Sequence, residues 1–366
     1  MSDRQKQMRD FLIASGWGDA DVAPLPGDAS TRRYARLAMG GRKAMLMDQR
    51  PGAETPAAPP HADEATRRAL GYNAVARLAG ADCARFAAVA TWLRGKGLAA
   101  PEILAADCAN GFLIIEDFGD ALFADVLADG GTATELYEAA ARVLARLHAE
   151  QAPPLLDSAT PLFHYDDIAL IAETDLLTQW FLPLALGREA TEKEILAHRS
   201  LWRGALATLP ESLPVFVHRD YHAQNLIWMP HRAELESVGL IDFQDAVAGS
   251  RAYDLISLTE DARRDVPPDL AEFTVRAYLK AAAFYGTPVD EAAFRQEMAI
   301  MAAQRNAKIV GIFARLYSRD GKARYLDLLP RVWGYLERDL AHPALAELRA
   351  WYDAVIPQNK RAVEAR

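Results

Sequence analysis

Cysteine is nearly missing from this chain. Only Cys83 and Cys108 occur in 366 residues, and their spacing is not that of a metal module, which excludes a disulfide framework and a zinc ribbon as the basis of the fold. Both read as packing residues. No run of 18 consecutive apolar residues suggests a membrane span, and the opening MSDRQKQMRD lacks the apolar core of a signal peptide, so a cytoplasmic protein is expected. Basic charge is the minority: 41 Lys and Arg stand against 50 Asp and Glu, for a formal net charge of -9. That balance argues against nucleic acid or an anionic membrane as the main partner, although it leaves room for a local basic pocket. There is no internal repeat. What the chain does have is 51% hydrophobic residues, enough to bury a large core divided between two lobes.

Along the chain, DASTRRYARLA and KAMLMD flank Met39-Gly40-Gly41 and predict a hairpin turned by paired glycines. RPGAETPAAPPHAD, residues 50–63, is rich in Pro and Ala without apolar periodicity and predicts a mobile connection that could act as a lid. Helical patterns cover 64–78 and 85–96, and Asn110-Gly111 between two apolar runs predicts a second hairpin. From there helical patterns dominate, at 132–150, 166–186, 191–209 and from about 253 onward, with VFVH, NLIWM and VGLIDF as the strands among them. The expected architecture is α+β and bilobal: a small sheet lobe over 1–115, a hinge at 116–119, and a mainly helical lobe over 120–366.

The chemistry concentrates in VFVHRDYHAQNLIWMP. Here His218, Asp220 and Asn225 form H-x-D-x-x-x-x-N, and Asp242 follows in LIDFQD. Phosphoryl transfer needs one carboxylate to take or orient the proton of the attacking hydroxyl, and hard oxygen ligands to hold magnesium against a triphosphate. Asp220, Asn225 and Asp242 supply those groups in that order. Read alone, the same letters also spell H-x-D-x-H, a possible zinc set of His218, Asp220 and His222, or a polar turn.

HRDYHAQN together with IDFQDAVAGSRAYDL resembles the kinase-like superfamily, in its aminoglycoside phosphotransferase-like branch. The resemblance implies a bilobal protein-kinase-like fold using ATP and Mg2+, with Asp220 as catalytic base, Asn225 and Asp242 as metal ligands, His218 as a loop scaffold and Asp254 as the support of that loop. It places adenine at the hinge, near Glu116 and Phe118, and the phosphates under PGDASTRRY, where Ser30, Thr31, Arg32 and Arg33 offer donors. Two departures stand out. There is no G-x-G-x-x-G loop, and Met47 occupies the place of the usual phosphate-pairing lysine, so Lys43, Arg32, Arg33 or Arg36 must supply that charge.

The acceptor is expected to be a small molecule, because no long activation segment separates Asp242 from Asp254. Candidate acceptor contacts are Asp220, His222, Glu173, Asp175 and Arg305. MDQRP, ALGYNAVARLAG, PEILAAD, HRDYHAQNL and EDARRDVPP resemble the bacterial anomeric kinases of N-acetylmuramate and N-acetylglucosamine, which implies an amino-sugar substrate, a sugar 1-phosphate product and a place in peptidoglycan recycling. A monomer is expected. An aminoglycoside or other small-molecule phosphotransferase, and a catalytically silent nucleotide-binding module, are the alternatives.

Overall fold

A computed structural model describes residues 2–27 and 31–363. They group into two compact units, the first drawn from Met1–Val143, Pro153–Phe163 and Ala223–Ala246, the second from Leu144–Ala152, His164–His222 and Val247–Arg366.

In the first unit, β1 (Asp21–Pro24), β2 (Arg33–Met39), β3 (Arg42–Asp48), β4 (Ile103–Asp107) and β5 (Phe112–Ile115) form an antiparallel sheet in the order β1-β2-β3-β5-β4. Alternation along β2 and β3 turns Leu37, Ala44 and Leu46 to one face, where they pack with Phe112, Ile114, Trp17 and with Phe11 and Leu12 of the Asp3–Ala14 helix. Met39 pairs with Arg42, leaving Gly40 and Gly41 as a two-residue turn at φ 55° and 81°. Positive φ at both positions is the type I′ geometry that the glycine pair makes cheap. The second hairpin leaves residues 108–111 between the paired Asp107 and Phe112. A Cβ on Gly111 would lie 1.8 Å from the Gln49 carbonyl oxygen, so glycine is required where these strands meet. The helical pattern over 64–78 is realised as two short helices, Glu64–Leu70 and Tyr72–Val75, because Gly71 at φ 106° interrupts it. Residues 50–63 hold no helix or strand, with Ala58 buried.

Four short strands follow: β6 (Val215–Val217), β7 (Leu226–Trp228), β8 (Val238–Leu240) and β9 (Val247–Gly249). The β7–β8 hairpin belongs to the first unit. Leu240 N–H donates to Ala99 O at 2.7 Å and Trp228 N–H to Ala121 O at 2.7 Å, while Ile227 and Met229 pack with Phe118 and Leu122. The units are therefore not consecutive in sequence, whereas the sequence reading places one boundary at 116–119. Backbone hydrogen bonds made across more than a hundred residues are what draw the hairpin in, and apolar periodicity carries no trace of them.

In the second unit β6 pairs with β9, a strand the sequence reading leaves out, and helices form the rest. Its spine is the 28-residue helix Glu291–Ser318, capped where Asp290 accepts the Ala293 N–H at 2.8 Å. Helix Asp167–Leu176 packs on it and passes through a π turn at Leu177–Phe181. A Cβ on Gly311 would lie 2.3 Å from the Leu176 carbonyl carbon, so this glycine lets the two backbones touch at the π turn. The stretch 167–186 is long and apolar enough to cross a membrane by composition, and 67% of that window is buried inside the fold.

Candidate active site

The β7–β8 hairpin sets up half of the chemistry. Leu226 pairs with Leu240, so the next rung places Asn225 opposite Ile241, and Ile241 N–H donates to Asn225 O at 3.2 Å. Asp242 is one residue further, in the left-handed backbone region at φ 62°. Non-glycine residues held there cost about 1–3 kcal/mol, and such positions cluster at functional sites. Asn225 and Asp242 both line a cavity of about 410 Å³ in the first unit. Met45, Ile115, Ile227 and Ile241 give this cavity flat apolar walls, and Glu116, Asp117 and Phe118 form part of its rim. Such a slot with a polar end suits an aromatic base bearing a charged tail.

Its charges are arranged in pairs. Asp242 Oδ1 accepts from Arg32 Nη2 at 3.0 Å and from Gln244 Nε2 at 3.1 Å, while the Asp242 side chain stays 41% exposed. Burial, the largest influence, opposes the Arg32 charge, but Asp242, Tyr34, Asp245 and Glu54 together outweigh it and hold the guanidinium still more firmly protonated than usual. Arg36 is committed to Asp117 at 2.7 Å and Asp120 at 2.8 Å. Asn225 and Asp242 provide the hard oxygen donors that fit Mg2+, which takes one or two protein oxygens and completes its shell with phosphate and water.

Of the residues expected near the nucleotide, Arg32, Glu116 and Phe118 line the cavity. The Glu116 carboxylate is engaged by Arg232 and by Arg94, and its N–H by Glu102 O, so what it offers a base is its carbonyl side. Thr31 donates to Glu54, Arg33 is exposed, and Lys43 is exposed one rung from the Gly40–Gly41 turn; none of the three lines the cavity. Ser30 lies outside the described residues. Met47, at the place of the missing lysine, is completely buried.

The second unit carries the His218 to His222 loop. Beyond β6 the loop from His218 to His222 is fastened by Asp254, whose two carboxylate oxygens accept the His218 N–H at 2.6 Å and the Arg219 N–H at 2.9 Å. Asp254 is fully buried, and burial pushes its carboxyl up to about 7 against the pull of those two donors. Arg219 adopts φ 77°, a second left-handed residue in the motif. Its guanidinium reaches Glu173, stacks over Tyr165 at 4.6 Å, and so turns inward beneath the loop. Lys308 Nζ meets the same Glu173 carboxylate at 2.9 Å and Tyr253 OH at 3.2 Å; Gln304 and Tyr165 also donate to it. Burial, the largest influence, would raise the Asp220 carboxyl, yet Lys308, His222, Arg219 and His218 acting together hold it below the ordinary range. Asp220 is thus ionised at neutral pH.

Three expected acceptor contacts are buried and paired with protein groups. Glu173 is fully buried within the network just described. Asp175 is 2% exposed and held by Arg199 at 2.9 Å. Arg305 is 4% exposed and donates to Ser257 Oγ at 2.8 Å and to Glu260 O. An acidic run on a helix does not say which face is turned inward, and here the partners are basic residues far along the chain. His218 is buried, His222 contacts Arg263, and among the described residues no three His, Cys, Asp or Glu side chains gather as a metal site, so H-x-D-x-H does not assemble a zinc set. Lys308 stood in the sequence only as one of the polar residues interspersed along the helical pattern of 304–322, with no role assigned to it. Its only signal was its spacing, three beyond Arg305 on one apolar helix.

Residues 21–295 match the model of the phosphotransferase enzyme family. The chain is 43% identical to an N-acetylmuramate/N-acetylglucosamine kinase of Caulobacter vibrioides, over 98% of this chain and 99% of that one. It is 34% identical to the protein of the same name from Pseudomonas aeruginosa, over 96% and 94%. Its fold is that of a choline/ethanolamine kinase family protein from Mesorhizobium loti, with a TM-score of 0.56 at 15% identity over 95% of this chain and 98% of that one.

Proposed function

The chain belongs to the phosphotransferase enzyme family and is a small-molecule kinase, and from that premise we propose that it transfers the γ-phosphoryl group of ATP to the anomeric hydroxyl of N-acetylmuramate and N-acetylglucosamine. The observation that carries the acceptor is likeness along the whole chain to two kinases named for these sugars. The apolar slot with Asn225 and Asp242 at its polar end supports the nucleotide half of the reading.

In this reading Asp220 accepts or orients the proton of the anomeric hydroxyl, helped by Lys308 and the other nearby groups that keep it ionised. The Asp254 clamp holds the loop backbone, so that Asp220 meets the hydroxyl in one geometry. Asn225 and Asp242 hold Mg2+, which when bound neutralises charge on the transferring phosphates. Arg32, already on Asp242, supplies the cation that Met47 does not, and the rim at Glu116 to Phe118 takes adenine. The product is a sugar 1-phosphate, as peptidoglycan recycling requires, made in the cytoplasm.

ADP release measured across N-acetylmuramate, N-acetylglucosamine, other hexoses, aminoglycosides and choline tests this. Release is expected with the two amino sugars and a fall on the order of 10²- to 10⁴-fold in kcat for Asp220→Asn. Release with aminoglycosides alone would make the chain an antibiotic-modifying transferase, and release with no acceptor would make it a silent nucleotide-binding module.

A further inference from the structure

We propose that Arg263 is the specificity-determining residue for charged acceptors, its guanidinium pairing with the lactyl carboxylate that N-acetylmuramate carries and N-acetylglucosamine lacks. The inference rests on the sugar-kinase reading above and adds to it the residue that separates the two substrates.

Arg263 is exposed, and its Nη1 lies 3.3 Å from His222 Nε2, two residues beyond Asp220 on the catalytic loop. His222 is 5% exposed, and burial, with the Arg263 charge second, lowers it to about 4. At neutral pH the ring is uncharged. It can hold the guanidinium in place without neutralising it.

Of the acidic side chains flanking Arg263 in sequence, two are paired with other arginines, and Asp261 keeps its Oδ2 buried without a hydrogen bond. Glu260 accepts from Arg338 at 2.8 Å and Asn306 at 2.7 Å, and Asp265 pairs with Arg331 at 2.6 Å. Asp261 turns its Oδ1 to the backbone N–H of Arg263 at 2.8 Å, which fixes the residue's main chain and leaves its side chain alone. Among the described residues no carboxylate pairs with the Arg263 guanidinium. The other cations near the loop are already used: Lys308 and Arg219 on Glu173, and Arg305 on Ser257 and Glu260 O in the interior. Arg263 is an exposed cation in contact with the loop through His222, with charge to spare.

The exposure explains how both sugars could be accepted. A carboxylate meets a planar, always charged fork of donors. A neutral sugar leaves that fork hydrated, so no buried donor goes unsatisfied and the neutral substrate is not rejected. A buried arginine in the same role would discriminate far more harshly.

The test is the ratio of kcat/KM for N-acetylmuramate to that for N-acetylglucosamine in wild type, Arg263→Ala and Arg263→Lys. The ratio is expected to fall about tenfold in the alanine variant, chiefly through KM for N-acetylmuramate, and to recover in part with lysine. A ratio unchanged within about twofold would overturn the inference, as would an equal loss with both sugars, which would assign Arg263 to the loop or the phosphates. If wild type uses N-acetylglucosamine alone, this inference fails while the amino-sugar kinase reading survives; if it uses neither, both fall.

Discussion

The two units treat charge in opposite ways. In the first, Asp242 is 41% exposed in a cavity, with Arg32 on one oxygen, and Arg36 is clasped by Asp117 and Asp120 at the same cavity. Each of these arginines has at least one partner carboxylate open to solvent, Asp242 for Arg32 and Asp120 for Arg36, so one side of each pair can be exchanged for a ligand's charge. In the second, Glu173, Arg219, Tyr165, Gln304 and Lys308 satisfy one another with almost no exposure. A buried charge network is costly to open, because each member left behind lacks both water and partner. The first arrangement suits recognition, and the second suits holding a loop still.

Breaking the buried side should therefore cost stability, and breaking the open side should cost binding. Glu173→Ala has the largest expected effect. It strands Arg219 and Lys308 in the interior and should lower the unfolding free energy by roughly 3–5 kcal/mol, read as a drop in urea midpoint. A midpoint within experimental error of wild type would mean that Glu173 is not the hub of this network.

Acid should expose the same contrast. The second unit buries His148, His198 and His222, and desolvation is the first cause of each shift, lowering them to about 3, 3 and 4. Trp202 Nε1–H donates to His198 Nε2 at 3.0 Å, so that nitrogen is an acceptor and the ring neutral. Each folded value lies below the unfolded value of about 6.5, so the unfolded chain binds more protons between the two. The histidine contribution is fully present above about pH 6.5 and falls as pH drops toward 4, by roughly 1 kcal/mol per histidine between pH 6.5 and 5.5, while Asp254, raised to about 7, offsets roughly one histidine's share over that interval and leaves a net fall. Urea midpoints at those two pH values check it, and equal midpoints would refute it.

The smallest expected effect is on the open side. Arg32→Ala should leave the urea midpoint nearly unchanged and raise KM for ATP about tenfold, or about 1.4 kcal/mol. A KM equal to wild type would return the role of the missing lysine to another cation.

Local features of the fold were legible wherever neighbours in sequence decide them. Gly40-Gly41 specified its turn through the φ values only glycine adopts easily, and Asn110-Gly111 marked the second hairpin, although its loop runs over 108–111. The closeness of Asn225 and Asp242 was legible for the same reason: the β7–β8 hairpin connects them, and its register alone places Asn225 beside Ile241. The strand β9 was not legible, since Val-Ala-Gly is too short to show a period.

By itself the amino-acid sequence determined the turns, the helix and strand periods, and the order of Asp220, Asn225 and Asp242, all set by steric limits and hydrogen bonds that act within a few residues. Tertiary structure alone decided which charges are paired and which are left open. Arg32 reached Asp242 across 210 positions, Glu173 turned inward to Lys308 and Arg219, and Arg263 was left without a carboxylate. A charged residue reads the same in a sequence whether it is to be solvated or buried, because that outcome depends on partners the packing brings from far along the chain.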